Sequence, residues 1–120
     1  MYAEELQDHF KFPRNKGTLV HPDISVGDSN PSCGDRVHFY VNILDGKISE
    51  LKFEGEGCVI SQAAASMLSE HCKHMKLDLV LSMTKEDIIS ILNLSLGPTR
   101  LRCALLCLEV LQRGVMQLKQ

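Results

Sequence analysis

The sequence predicts an α+β domain. An N-terminal helix precedes a small antiparallel sheet of about three strands, and a C-terminal helical layer packs on one face of that sheet. Three observations carry the assignment. Residues 36–43 alternate apolar and polar side chains, the two-residue period of a half-buried strand. Asp45-Gly46 follows as a hairpin signal. After Cys58 the apolar period lengthens to about 3.6 residues, the helical spacing.

The elements follow in order. Residues 2–10 read as a short helix in which Leu6 and Phe10 share a face; Pro13 ends it, and Asn15-Lys16-Gly17 makes a turn. Residues 18–29 read as loop, with one short strand around Ile24 to Val26. In the central strand Val37, Phe39, Val41 and Ile43 face one way, and Arg36, His38, Tyr40 and Asn42 the other. The return strand runs from Lys47 to Glu54 with Leu51 and Phe53 on one face. Its Ile48 falls out of register, which predicts a bulge near the turn. Gly55-Glu56-Gly57-Cys58 then leads into a helix whose stripe is Ile60, Ala64, Met67, Leu68, Cys72 and Met75. Thr84 is placed to N-cap a further helix carrying Ile88 to Leu92. Pro98-Thr99 opens the last of three helices, near residues 100–118. Leu101, Leu105, Leu108, Leu111 and Val115 make it apolar almost all round, so it packs against neighbours on several sides.

At 120 residues the chain fits one domain, 1–120, around a single core. A net charge of −2 gives no basic footprint for nucleic acid, and no apolar run approaches the ~20 residues of a membrane span. The opening MYAEELQDHF is acidic and amphipathic, unlike a signal or transit peptide, so a cytoplasmic location is expected. Five cysteines, an odd number without a secretory signal, point to reduced thiols. In that setting metal binding and sulfur chemistry are the functional readings, and burial as small hydrophobes the structural one.

Three of the five sit at element junctions. Cys33 lies in Asn30-Pro31-Ser32-Cys33-Gly34-Asp35, where Pro31 stiffens the approach and Gly34 permits a sharp turn, so thiol and carboxylate can point the same way. Cys58 lies where a strand hands over to a helix, and Cys103 falls in the first turn of the last helix if Pro98-Thr99 starts it. A helix N-terminus stabilises a thiolate, and Arg100 and Arg102 beside Cys103 push in the same direction. Three thiolates with Asp35 make an S₃O ligand set, which suits zinc, and the same thiolates suit an iron–sulfur cluster. No pair has the C-x-x-C spacing that marks a zinc site by itself. Cys72 and Cys107 read as core; His71 and His74 fall near a helix end and His38 on the polar side of its strand. Two rival classes remain. A cysteine hydrolase would need His38 or His9 as base, and a structural zinc module would hold its metal without turnover.

NPSCGD, then FEGEGCVIS (Phe53–Ser61) followed by QAAASM, then PTRLRCALL (Pro98–Leu106), together resemble the U-type iron–sulfur cluster assembly proteins, the family of IscU, SufU and the N-terminal domain of NifU. HFKFPRNKG (His9–Gly17) is similar to the family's opening. The resemblance implies a scaffold or sulfur acceptor rather than a conventional enzyme. It would take sulfur from a cysteine desulfurase, bind zinc or a nascent [2Fe–2S] cluster at Cys33, Asp35, Cys58 and Cys103, and pass sulfur or cluster to apo iron–sulfur acceptor proteins. Cys33 is the expected sulfur acceptor and Cys103 the alternative. A zinc-dependent sulfur carrier without cluster assembly stays open: Arg102 stands where IscU-like chains have histidine, as in SufU. Yet the interval from Cys58 to Cys103 is too short for the insertion usual in SufU, and LGPTR (Leu96–Arg100) replaces the LPPVK stretch of IscU-like chains.

Overall fold

The computed structural model describes residues 4–30, 34–93 and 95–119. Its elements are α1 (Glu4–Lys11), β1 (Ile24–Asn30), β2 (Asp35–Leu44), β3 (Lys47–Glu56), α2 (Val59–Cys72), α3 (Leu77–Ser82), α4 (Lys85–Leu92) and α5 (Pro98–Lys119). The strands form one antiparallel sheet in the order β1-β2-β3. Helices α2 and α5 pack on the sheet, and α1 packs on α2. The α+β class and the three-stranded sheet are as expected. Among the described residues no helix is long and apolar enough to cross a membrane.

The alternation in β2 places Val37, Phe39 and Val41 in the core with Leu51 and Phe53 of β3. Asp45 and Gly46, at φ 54° and 73°, form the tight turn between the two strands. The anticipated bulge is there: Asn42 pairs with Glu50 but Ile43 pairs with Ile48, so Ser49 is the extra residue. It returns Ile48 to the core face, fully buried. Strand β1 extends past Val26 to Asn30 because β2 supplies a pairing partner down to Asp35, against the weak β propensity of Gly27-Asp28-Ser29-Asn30.

Several expectations need correction. On α1 it is His9, not Phe10, that joins Leu6 in the interior; Phe10 is 41% exposed. His9 Nδ1 lies 2.7 Å from Ser66 Oγ, a hydroxyl that also accepts the Arg14 amide. Four helices follow the sheet rather than three, because Leu77–Ser82 forms the short α3. Six residues are too few for a helical period to declare itself. Met75 lies beyond the end of α2, in a segment that returns to β3 through His74 N–H to Ile48 O (2.8 Å) and Ile48 N–H to Met75 O (3.0 Å). The expected capping of α4 by Thr84 is present as a full capping box with Asp87.

The approach of α5 to the sheet depends on Gly114. A methyl group there would lie 2.6 Å from Val26 Cγ1 and 2.8 Å from Ile24 Cγ2, both on a β-branched strand face with little room to yield. Gly114→Ala should therefore destabilise the protein. Overpacking of about 1–3 kcal/mol opposes a helix-propensity gain of ~1 kcal/mol, and thermal unfolding reads the balance. A rise in Tm would contradict this packing. A second expectation concerns pH. Burial first, then the Arg14 charge, lowers the His9 pKa below its ordinary value. The unfolded chain then binds the proton more readily, so stability is complete above about pH 6.5 and declines as pH falls below it. Denaturant unfolding from pH 7.5 to 5 should show less of this decline in His9→Gln.

Candidate metal centre

Strand β3 hands the chain to α2 through Gly57 and Cys58. Cys58 is the N-cap of α2, with φ −72° and ψ 168°. Its Sγ accepts the Ser61 backbone N–H at 3.5 Å, and the Ser61 hydroxyl donates to the Cys58 carbonyl at 3.1 Å. The Cys58 N–H points the other way and donates to Asp35 Oδ1 at 2.9 Å. In a capping box, the side chain three residues into the helix would accept that N–H. Here an acid from the start of β2 does so, which ties the sheet to the helix at the site.

Asp35 is fully buried, on the core side of β2 with Val37 and Phe39. Its Oδ2 lies 3.8 Å from Cys58 Sγ. Gly57 makes this possible twice over. Its φ of 140° is a region that side chains disfavour, and a Cβ there would lie 2.1 Å from Asp35 Oδ1. Cys103 reaches the same point from α5. It lies in the second turn, not the first, since α5 begins at Pro98 and its ladder has already started with Leu101 N–H to Gly97 O at 2.9 Å. The helix N-terminus therefore acts on Cys58 rather than on Cys103. Arg100, on the opening turn of α5, and Arg102, just beyond it, are exposed.

The ligand atoms of Asp35, Cys58 and Cys103 all lie within 4.8 Å of one another. An ion centred among atoms so spaced is no more than about 2.8 Å from each, against Zn–S ≈ 2.3 Å and Zn–O ≈ 2.0–2.2 Å. Movements of about half an ångström would bring all three to bonding distance, so the donor set fits zinc in both chemistry and reach. Cys58 is exposed while Asp35 and Cys103 are buried, so the centre opens to solvent on the Cys58 side. Cys33, the remaining expected ligand and the expected sulfur acceptor, lies outside the described residues.

The other thiols belong to the core. Cys72 is fully buried with its Sγ 3.8 Å from Met83 Sδ, and Cys107 donates to Ala104 O at 3.2 Å. Burial pushes both thiols up to about 12, so they stay protonated and unreactive. His38 Nε2 lies 2.7 Å from Ser25 Oγ and His9 Nδ1 lies 2.7 Å from Ser66 Oγ, so these two hydrogen bonds go to serines and not to a thiol. His71 and His74 are exposed at the end of α2. Ser61 went unread in the sequence. Its spacing of three from a strand-to-helix cysteine, the N-cap to N3 offset, is the signal that could have found it.

The model of the NifU-like N-terminal domain family matches residues 1–120. The chain is 39% identical over 133 aligned positions to the zinc-dependent sulfurtransferase SufU of Bacillus subtilis, covering 96% of this chain and 89% of that one. The alignment is longer than the chain itself, so the relative carries residues missing here. It is 30% identical to an iron–sulfur cluster assembly scaffold protein IscU of Archaeoglobus fulgidus, over 96% of this chain and 74% of the relative. Among solved structures, a protein of Fervidobacterium islandicum described as a candidate iron–sulfur cluster assembly scaffold for the SUF system superposes with TM-score 0.82 at 26% identity, covering 95% and 96% of the two chains. The N-terminal part of a NifU-like protein from Brucella abortus gives TM-score 0.81 over 98% and 93%, at 16% identity a likeness of fold alone.

Gly57→Ala tests the geometry of the centre directly. The added methyl should displace the Asp35 carboxylate and reduce bound zinc by about tenfold or more, the scale of lost support around a metal. Metal analysis after dialysis against limiting zinc measures this; unchanged zinc content would show that Asp35 is not held as described.

Proposed function

Because this chain belongs to the NifU-like N-terminal domain family, we propose that residues 1–120 form a single iron–sulfur cluster assembly domain with a centre formed by Cys33, Asp35, Cys58 and Cys103. It accepts sulfur and holds zinc or a nascent [2Fe–2S] cluster there for transfer onward. The convergence of Asp35, Cys58 and Cys103 from three separate elements is the observation that supports this most directly. The sulfur donor is a cysteine desulfurase, and the recipients are apo iron–sulfur proteins. When bound, zinc keeps the coordinating thiols deprotonated and protected from oxidation.

The chain's own residues divide the work. Cys33 is the first acceptor. Its thiolate attacks the outer sulfur of the donor's persulfide; a new S–S bond forms on this chain, the donor's S–S bond breaks, and the donor leaves as a thiolate. Cys103, the alternative acceptor, is only 5% exposed, which suits holding cargo better than meeting a partner. Cys58 is exposed and offers the more reachable second station. Asp35 is the hard ligand of the set and the more exchangeable one for soft cargo. Its anchoring by the Cys58 amide keeps it in place when exchange occurs.

A second reading, sulfur carriage on zinc without cluster assembly, is favoured by Arg102. A guanidinium stays protonated and cannot serve as a ligand. Anaerobic incubation with iron, cysteine and a desulfurase separates the two. A visible cluster spectrum supports the scaffold, and persulfide on the chain without a cluster supports the carrier. Neither product would overturn both and leave a structural zinc module. In parallel, Cys33→Ser, Cys58→Ser and Cys103→Ser should each lose most of the bound zinc and the sulfur transfer, whereas Cys72→Ser should lose neither. Normal zinc in Cys58→Ser would rule out the centre as assigned.

A further inference from the structure

Ser61 is 7% exposed, lies in the first turn of α2, and makes two bonds to Cys58. The weaker is its N–H to Sγ at 3.5 Å; sulfur is a poor acceptor and holds an N-cap loosely. The stronger is its hydroxyl to the Cys58 carbonyl at 3.1 Å. That bond fixes the Cys58 peptide plane, and with it the direction in which Cβ and Sγ leave the backbone. The plane before Cys58 is fixed from the other side, by the amide bond to Asp35 Oδ1. Between these two clamps, Sγ is directed to within 3.8 Å of Asp35 Oδ2 and within 4.8 Å of the Cys103 sulfur. The hydroxyl also fills the space over Gly57, 2.8 Å from where a Cβ would stand. It thus closes the side of the pocket that glycine leaves open beside the carboxylate.

We propose that Ser61 is a positioning residue of the metal centre, whose hydroxyl clamps Cys58 so that its sulfur faces the ion. This rests on Asp35, Cys58 and Cys103 acting as ligands, and adds a residue outside the ligand set on which affinity depends. A serine that only satisfied a helix carbonyl would contribute to folding and not to metal binding, so the two roles differ in what they move. Groups that orient metal ligands typically cost 10–100-fold in affinity when removed. Alanine is the best helix former, so Ser61→Ala removes the hydroxyl at little risk to α2.

The test compares wild type, Ser61→Ala and Ser61→Thr. Zinc affinity is measured by competition with a chromophoric chelator, the cobalt(II) form by its sulfur-to-metal charge-transfer absorption, and the metal-free protein by thermal unfolding. We expect Ser61→Ala to bind zinc about tenfold more weakly, with a weakened charge-transfer band, and Ser61→Thr, which keeps the hydroxyl, to recover most of both. Equal zinc affinity and equal cobalt spectra in wild type and Ser61→Ala would overturn the positioning role, whatever the shift in Tm, and leave the proposed function standing. A wild type that takes up no stoichiometric zinc or cobalt would overturn both together.

Discussion

The bond between the Cys58 amide and the Asp35 carboxylate is the constraint around which the rest is arranged. A carboxyl with no exposure to solvent is costly to bury unless donors or a counter-charge meet it. Asp35 stands at the first position of β2 and on the core face, where its strand would otherwise place a residue like Val37 or Phe39. What makes the position tolerable is the start of α2, which brings an amide N–H and the positive end of a helix to one oxygen. The thiol of Cys58 faces the other oxygen. Gly57 follows from the same requirement, because the carboxylate occupies the volume of its missing side chain.

Sheet topology explains how residues 23 positions apart meet there. In an antiparallel hairpin the start of one strand lies beside the end of the next, so the pairing of Arg36 with Glu56 sets Asp35 next to Gly57. The ion pair between those two side chains, 2.5 Å and exposed on the opposite face, marks the same junction from behind but adds little stability of its own. Cys103 needs a longer-range device. Helix α5 lies against β1 with Gly114 seated on Ile24 and Val26, a close approach that a side chain there would prevent. One glycine shapes the pocket and another brings in the helix that completes it.

Much of this was legible before any coordinates. The alternation of Val37 to Ile43, the misplaced Ile48 and the Thr84 cap each follow from a local rule, and each appears where the rule puts it. The structure gathers the junction cysteines Cys58 and Cys103 around Asp35 and leaves the stripe cysteines Cys72 and Cys107 apart from them, as their different places in the periodic pattern suggest. What escaped depended on partners remote in sequence. Residues 27–30 became strand because β2 was beside them. His9 went inside because Ser66 offered its ring nitrogen a partner, and Phe10 was left out as a consequence. Helix α3 is shorter than any period can reveal. Cys103 was placed one turn too early, since counted from Pro98 it is the sixth residue of α5 and a first turn closes before it.

The same side chain serves two purposes in this protein, and surroundings alone separate them. Cys72 and Cys107 are enclosed by apolar groups, with their thiols pushed up to about 12, and act as packing volume. Cys58 and Cys103 share their space with a carboxylate instead. Three groups that would be anionic as ligands lie within 4.8 Å of one another, and a cation among them would offset their mutual repulsion. Two sulfurs and a carboxylate so placed suit a soft cation. Release must come from the side where the crowding is weakest and water or a partner can enter. Of the three candidate ligands Asp35 and Cys103 are buried, and Cys58 alone of the three is exposed. A centre that grips from the interior and opens at one sulfur suits a protein that holds its cargo only until it is passed on.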